Sequence, residues 1–314
     1  MYRPRHHLLR KLQHLDLDKS TFDEICTSFI HLTPLDGSVK HFLSKCNDHV
    51  VLHQGRRNVV LEGNSNYGLV FKCIRITPSQ ASTIYAEALS EIYITHLFLD
   101  TPVRNFRLIT PESLVSTQET LVLSYKHAGV PLSTWLSLNK SDLNTVYTIW
   151  TRLLDCMSEL HVLTNSAHLA IDPSHIMVNP ITTSISLISL RQIQRGISQH
   201  HDHTYQTPPA SRSRCPVFTP PESSAQASTL QTMNHLKAYD IWTLGAVFRY
   251  IAHECASSEK SFLANFCVHP TEIELKLEML NSMMNVNPMK RPSISEVTFI
   301  FNETLYKQSE MHRV

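Results

Sequence analysis

Three stretches of this 314-residue chain combine residue types and spacings that do chemistry. The first is Gly63-Asn64-Ser65-Asn66-Tyr67-Gly68-Leu69-Val70. Glycines without a Cβ let backbone N–H groups approach a phosphate closely, so a loop carrying Gly63 and Gly68 could cradle one. A β-hairpin turn explains the same Gly-Asn-Ser-Asn string equally well, and both readings stand. The second is His200-His201-Asp202-His203, which has metal-ligand residue types but no helix to fix their geometry. It is read as a solvated loop, and no metal site is expected. The third is Ser211-Arg212-Ser213-Arg214. A phosphate added to either serine beside the arginines would order the segment, and the simpler reading is an exposed basic turn.

The elements that must position these residues change character along the chain. Leu8, Leu9, Leu12 and Leu15, then Phe22, Ile25, Cys26 and Phe29, recur at helical spacing in an N-terminal stretch, and a turn follows at residues 34–37. Val50-Val51-Leu52 and Val59-Val60-Leu61 read as strands about a hairpin-like turn at residues 54–58, and residues 69–76 as a third. A short strand is expected at 82–85, a helix at 87–99 and a strand at 121–123. After residue 130 helical periodicity dominates, at 143–161, 236–252, 272–285 and 293–307. Residues 189–235, rich in Ser, Thr, Pro, Gln and His, read as a long loop. A strand-rich half before a helical half predicts α+β with two lobes.

Composition limits the function classes. The net charge of +1 gives no global attraction for nucleic acid. No apolar run approaches the about 18 residues of a membrane span, so no membrane association is expected. The seven cysteines are scattered and odd in number without a Cys-x-x-Cys pair, which argues against a disulfide framework and for a reducing compartment. The start, Met1-Tyr2-Arg3-Pro4-Arg5-His6-His7, is basic without a signal-type apolar core. An intracellular protein, cytoplasmic or nuclear, is the expectation. The 19 histidines read as surface and loop residues. Seven glycines are few against a usual share of about 7%, so each needs a positional reason.

The segment His168-Leu169-Ala170-Ile171-Asp172-Pro173-Ser174-His175-Ile176-Met177-Val178 is similar to the catalytic loop of protein kinases, H-R-D-L-K-P-x-N-I-L-V. His168, Pro173, Ile176 and Val178 match, and Ile171 and Met177 are apolar swaps. The resemblance implies that the catalytic base is replaced by Ala170, the phosphate-steadying lysine by Asp172 and the Mg²⁺-holding asparagine by His175. Neutral imidazole suits zinc or nickel better than oxygen-seeking Mg²⁺. Ile185-Ser186-Leu187-Ile188-Ser189-Leu190-Arg191 stands where the family has its metal-binding strand, which puts Ser189 at the Mg²⁺-binding aspartate. Arg191 reads as a surface residue at a strand end. The loop at 63–70 resembles the family's glycine-rich loop, with Ser65 for its middle glycine, which implies Gly63, Ser65, Gly68 and Val70 as candidate nucleotide-loop residues. No lysine lies between Lys72 and Lys126, and Lys72 follows Gly68 closely. The strand lysine is therefore expected near Tyr85 or Ala86 and lost, with Lys72 as the alternative. Glu91 resembles the helix glutamate that pairs with that lysine, and without it is expected to be a solvated helix residue.

Further along, Thr219-Pro220-Pro221-Glu222 resembles A-P-E, Asp240-Ile241-Trp242-Thr243-Leu244-Gly245 resembles D-x-W-S-L-G, and Pro288-Met289-Lys290-Arg291-Pro292-Ser293 resembles P-x-x-R-P-[ST]. These imply structural roles for His168, Glu222, Asp240 and Arg291. Asp240 is expected to hold the backbone near Leu169, and Glu222 to pair with Arg291. Ser293 with Glu296 reads as a helix capping box. The likeness spans about residues 55–307. It implies an N-terminal helical extension (1–48), a β-rich N-lobe (49–127), a helical C-lobe (128–309) and a tail (310–314). There is also a faint likeness to the herpesvirus conserved protein kinases, which would imply a viral source. The implied function is a pseudokinase, a scaffold or allosteric partner of another protein, needing no cofactor and binding ATP weakly if at all. Two alternatives accompany it: an active Ser/Thr kinase with Asp172 recruited as base, and a nucleotide-sensing switch without transfer.

Overall fold

A computed structural model describes residues 49–54, 58–63, 69–76, 84, 91, 107–108, 111–116, 120–140, 142–190, 193–195, 216–224 and 232–311. The described strands are β1 (His49–Gln54), β2 (Asn58–Gly63), β3 (Leu69–Arg75), β4 (Arg107–Leu108), β5 (Pro111–Ser116), β6 (Thr120–Lys126), β7 (Val130–Pro131), β8 (Ser166–Ala167), β9 (Ile176–Val178), β10 (Ile185–Leu187) and β11 (Gln194–Arg195). The described α-helices of eight or more residues are α1 (Leu132–Asn139), α2 (Leu143–Ser158), α3 (Met233–Cys255), α5 (Pro270–Met283) and α6 (Ile294–Met311), with the short α4 (Glu259–Leu263) after α3. The class is α+β, and the chain divides into two units.

The first unit is an antiparallel sheet in the order β1-β2-β3-β6-β5. β6 lies between two partners, and its residues Leu121 to Tyr125 are all buried, so both of its faces are covered. That accounts for an apolar run in place of a polar–apolar alternation. The strands expected at 50–52, 59–61, 69–76 and 121–123 are present. Of the strand expected at 82–85 only Ile84 lies among the described residues, and it is buried and helical. An apolar run that short does not distinguish the two periods.

The second unit is built on helices. Asp142 caps α2 by accepting from the Thr145 N–H. α2 buries Tyr147, Trp150 and Leu154, then runs into a π-turn at Glu159–Leu163. Trp150 meets Phe248 of α3 edge-on at 4.9 Å and Phe301 of α6 at 5.5 Å. α3 buries residues around most of its circumference, as the central helix of a bundle must. A Cβ at Gly245 would lie 2.7 Å from Met284, so glycine there permits close packing. Gly129 has φ +107°, and a Cβ there would stand 2.1 Å from the Val178 oxygen. No side chain fits, which gives that glycine its reason.

A small sheet, β4-β10-β9-β7, and the pair β11-β8 complete the unit. β4 hydrogen-bonds to β10, so Arg107 and Leu108 lie with the second unit. The helices expected at 143–161, 236–252, 272–285 and 293–307 are present with ends shifted by a few residues. Among the described residues no helix is long and apolar enough to cross a membrane. Residues 1–48, with their expected helical extension, lie outside the described residues, as do Ser65, Gly68, Arg191 and the segments 200–203 and 211–214.

Candidate functional site

The loop from His168 to His175 leaves β8 and enters β9. Asp240, fully buried in α3, accepts the N–H of His168 through Oδ2 at 2.6 Å and that of Leu169 through Oδ1 at 2.7 Å. His161 Nε2 lies 2.9 Å from the same Oδ2, also buried. A carboxylate oxygen accepts, so Nε2 carries the proton of that bond. Leu169 has φ +62°, a left-handed conformation that costs a bulky residue roughly 1–2 kcal/mol. Two charge-assisted hydrogen bonds beside it, and burial of its side chain among Ala167, Leu236 and Tyr239, offset that strain.

His168 is fully buried. Burial lowers its pKa to about 4 against the opposing pull of Asp240, so the ring is neutral near pH 7. Ala170, two residues on, has no polar side chain and presents its backbone carbonyl to the loop. That carbonyl accepts from His175 Nδ1 at 2.8 Å, and Asp172 Oδ2 lies 3.0 Å from the same nitrogen. Both neighbours are acceptors, so Nδ1 holds a proton whether the ring is neutral or charged.

Asp172 Oδ1 accepts from the backbone N–H groups of Ser174 at 2.7 Å and His175 at 3.2 Å, and from the Ser174 hydroxyl. Burial pushes its pKa up, but the hydrogen bonds and charge of His175 and the bonds from Ser174 outweigh it and hold the carboxyl below its ordinary range. Asp172 thus serves as the clasp of a turn. Ile188 donates to the His175 carbonyl, and Ser189 follows, half-buried with φ +71°.

The first unit holds a second polar group. Lys72 of β3 places Nζ 2.8 Å from Glu91 Oε2, and the Tyr125 hydroxyl of β6 donates to Glu91 Oε1 at 2.9 Å. Glu91 is only 3% exposed. This corrects the expectation of a solvated glutamate without a lysine: Lys72, the less favoured alternative, is its partner. Burial, then the charge and hydrogen bond of Glu91, raises the Tyr125 phenol well above its ordinary pKa, so it stays a donor.

Gly63 ends β2, and Val70 lies in β3 opposite Tyr125. The stretch between them links neighbouring antiparallel strands, as a hairpin turn does. Glu222 meets Arg291 through two parallel hydrogen bonds at 2.6 and 2.7 Å, and Arg291 also donates to the Asn285 and Ala238 carbonyls. The Arg291 side chain is fully buried and that of Glu222 18% exposed. Ser293 and Glu296 exchange hydrogen bonds as a capping box. The structure therefore brings together Asp240 with Leu169, and Glu222 with Arg291.

His161 and Tyr125 are the residues that the sequence reading passed over. His161 carried a signal, a polar residue on the apolar face of a helix. Tyr125 carried none, since its partner comes from 34 residues away. Among the described residues no three His, Cys, Asp or Glu groups are placed to hold a metal ion. No protein-family model matches the chain, and no curated protein matches it.

Proposed function

We propose that this chain is a protein-kinase-like protein without phosphotransfer activity, working as a scaffold or allosteric partner of another protein. The observation that carries the proposal is the loop on Asp240. Its backbone is held at His168 and Leu169 by two short hydrogen bonds, which supports a preserved frame. The position that would supply the base is Ala170, and Asp172, two residues on, is committed to its turn. Loss of a general base typically lowers the rate by about 10²–10⁴. With His175 and Ser189 at the metal-holding positions, the electrostatic stabilisation that dominates phosphoryl transfer is missing too.

The test is phosphate incorporation from γ-labelled ATP with Mg²⁺, comparing the wild type with Asp172→Ala. Equal background from both is expected. Labelling that depends on Asp172 would overturn the proposal in favour of a rewired active kinase. One contact favours a second reading, a nucleotide-responsive switch without transfer. In kinases the strand lysine and helix glutamate must be paired for activity, and Lys72 and Glu91 are paired.

A further inference from the structure

The His175 imidazole is anchored through its backbone and through one ring nitrogen. Its N–H donates to the Asp172 carbonyl at 3.0 Å and to Asp172 Oδ1 at 3.2 Å, and its carbonyl accepts from the Ile188 N–H at 3.1 Å. In the ring, Nδ1 lies 2.8 Å from the Ala170 carbonyl and 3.0 Å from Asp172 Oδ2. The two carboxylate oxygens divide the work. Oδ1 closes the turn by accepting from Ser174 and His175, which leaves Oδ2 for the ring.

Both partners of Nδ1 are acceptors, so the neutral ring keeps its proton there and presents a bare lone pair at Nε2. Nε2 has no hydrogen-bond partner among the described residues and is not a buried atom, and the side chain is 31% exposed. A carbonyl or carboxylate behind one ring nitrogen raises the basicity of the other. An imidazole oriented by a third group, with its second nitrogen open, is the arrangement of an activated nucleophile. Charge selects the electrophile. Asp172 is ionised, and among the described residues no lysine or arginine bonds to it or to His175. An anionic donor such as a phosphate ester is repelled, whereas a cationic acyl-imidazolium is favoured beside the carboxylate.

We propose that His175 is a nucleophile that takes an acyl group at Nε2 from an uncharged ester or thioester and passes it to water, with Asp172 as its positioning residue. Nε2 attacks the acyl carbon. The C–O or C–S bond breaks, and the alkoxide or thiolate leaves with the bonding pair and takes a proton from water. Hydroxide adds to the acyl-imidazolium carbon, the C–N bond breaks and its pair returns to Nε2. The sum is ester plus water giving acid plus alcohol, or thiol from a thioester. The inference stands on the geometry of the turn and is independent of the kinase-like reading.

The experiment uses the full chain as wild type, Asp172→Asn and His175→Gln. Diethyl pyrocarbonate, an uncharged acyl donor, is applied near neutral pH, and acylation of each histidine is followed by peptide mass spectrometry. His253, 59% exposed, and the exposed His269 are references in the same chain. His175 is expected to react faster than both despite its smaller exposure. Asp172→Asn keeps an oxygen for the Ser174 and His175 N–H groups but turns an amide N–H toward Nδ1, which favours the tautomer protonated at Nε2. It should slow acylation of His175 about 10-fold or more while the references keep their rates. Nitrogen NMR should show the ring proton moved from Nδ1 to Nε2. The wild type should release p-nitrophenol from p-nitrophenyl acetate faster than His175→Gln, and none from p-nitrophenyl phosphate. Circular dichroism establishes that each variant folds. If Asp172→Asn fails to fold, the comparison of His175 with His253 and His269 in the wild type decides. Acylation of His175 no faster than that of the references, or equal ester hydrolysis by the wild type and a folded His175→Gln, overturns the proposal. Cleavage of p-nitrophenyl phosphate that depends on His175 overturns the choice of an acyl donor. Phosphate transfer from ATP would remove the scaffold proposal and leave this one standing.

Discussion

At the scale of single residues, the loop contains two groups whose protonation is tied to folding in different pH windows. His168 is held neutral by burial, with a folded pKa of about 4 against about 6.5 in an unfolded chain. Between those values the unfolded state binds a proton that the folded state refuses. Stability therefore falls as pH drops from about 6.5 to about 4, and this one ring accounts for about 3 kcal/mol of the loss. Asp172 acts lower. Its folded pKa lies below the unfolded value of about 3.9, so its contribution is complete above about pH 4 and disappears as pH falls through the folded value. Urea denaturation at a series of pH values should show the wild type losing stability between pH 6.5 and 4 more steeply than His168→Gln. Parallel curves would mean that the buried ring carries no such penalty.

At the scale of elements, what matters is which contacts tie the loop to the helices. Replacing Asp240 by alanine strands the His168 and Leu169 N–H groups in a dry interior, at about 1–3 kcal/mol each, and leaves Leu169 strained with nothing holding it. Ser293→Ala removes an exposed cap and should cost about 1 kcal/mol. A loss from Asp240→Ala of at least about 3 kcal/mol in urea, well above that from Ser293→Ala, is the expected result. Similar losses would show that α3 does not hold the loop. Much of this scaffold was legible in the sequence. The long helices announce themselves by period, and the pairings of Asp240 and Glu222 followed from motif likeness. The misses have physical reasons. α1 spans eight residues, too few for period to stand out. β4 pairs with β10 across nearly eighty residues, and the bond from Lys72 to Glu91 crosses nineteen. Both depend on tertiary approach, which local pattern does not encode.

At the scale of the molecule, the proposed function predicts how many separate losses must be reversed before phosphate moves. Ala170→Asp alone should leave the chain inactive, because a base without metal-holding groups has no stabilised charge to work against. Adding His175→Asn and Ser189→Asp supplies those groups with little strain. An asparagine amide can donate to the Ala170-position carbonyl as His175 does, and aspartate tolerates the left-handed backbone of Ser189 better than most residues. The triple variant is expected to incorporate phosphate from ATP and Mg²⁺, measured as transfer from γ-labelled ATP. A folded triple variant that stays silent would mean that the frame held by Asp240 is not one that positions a kinase site.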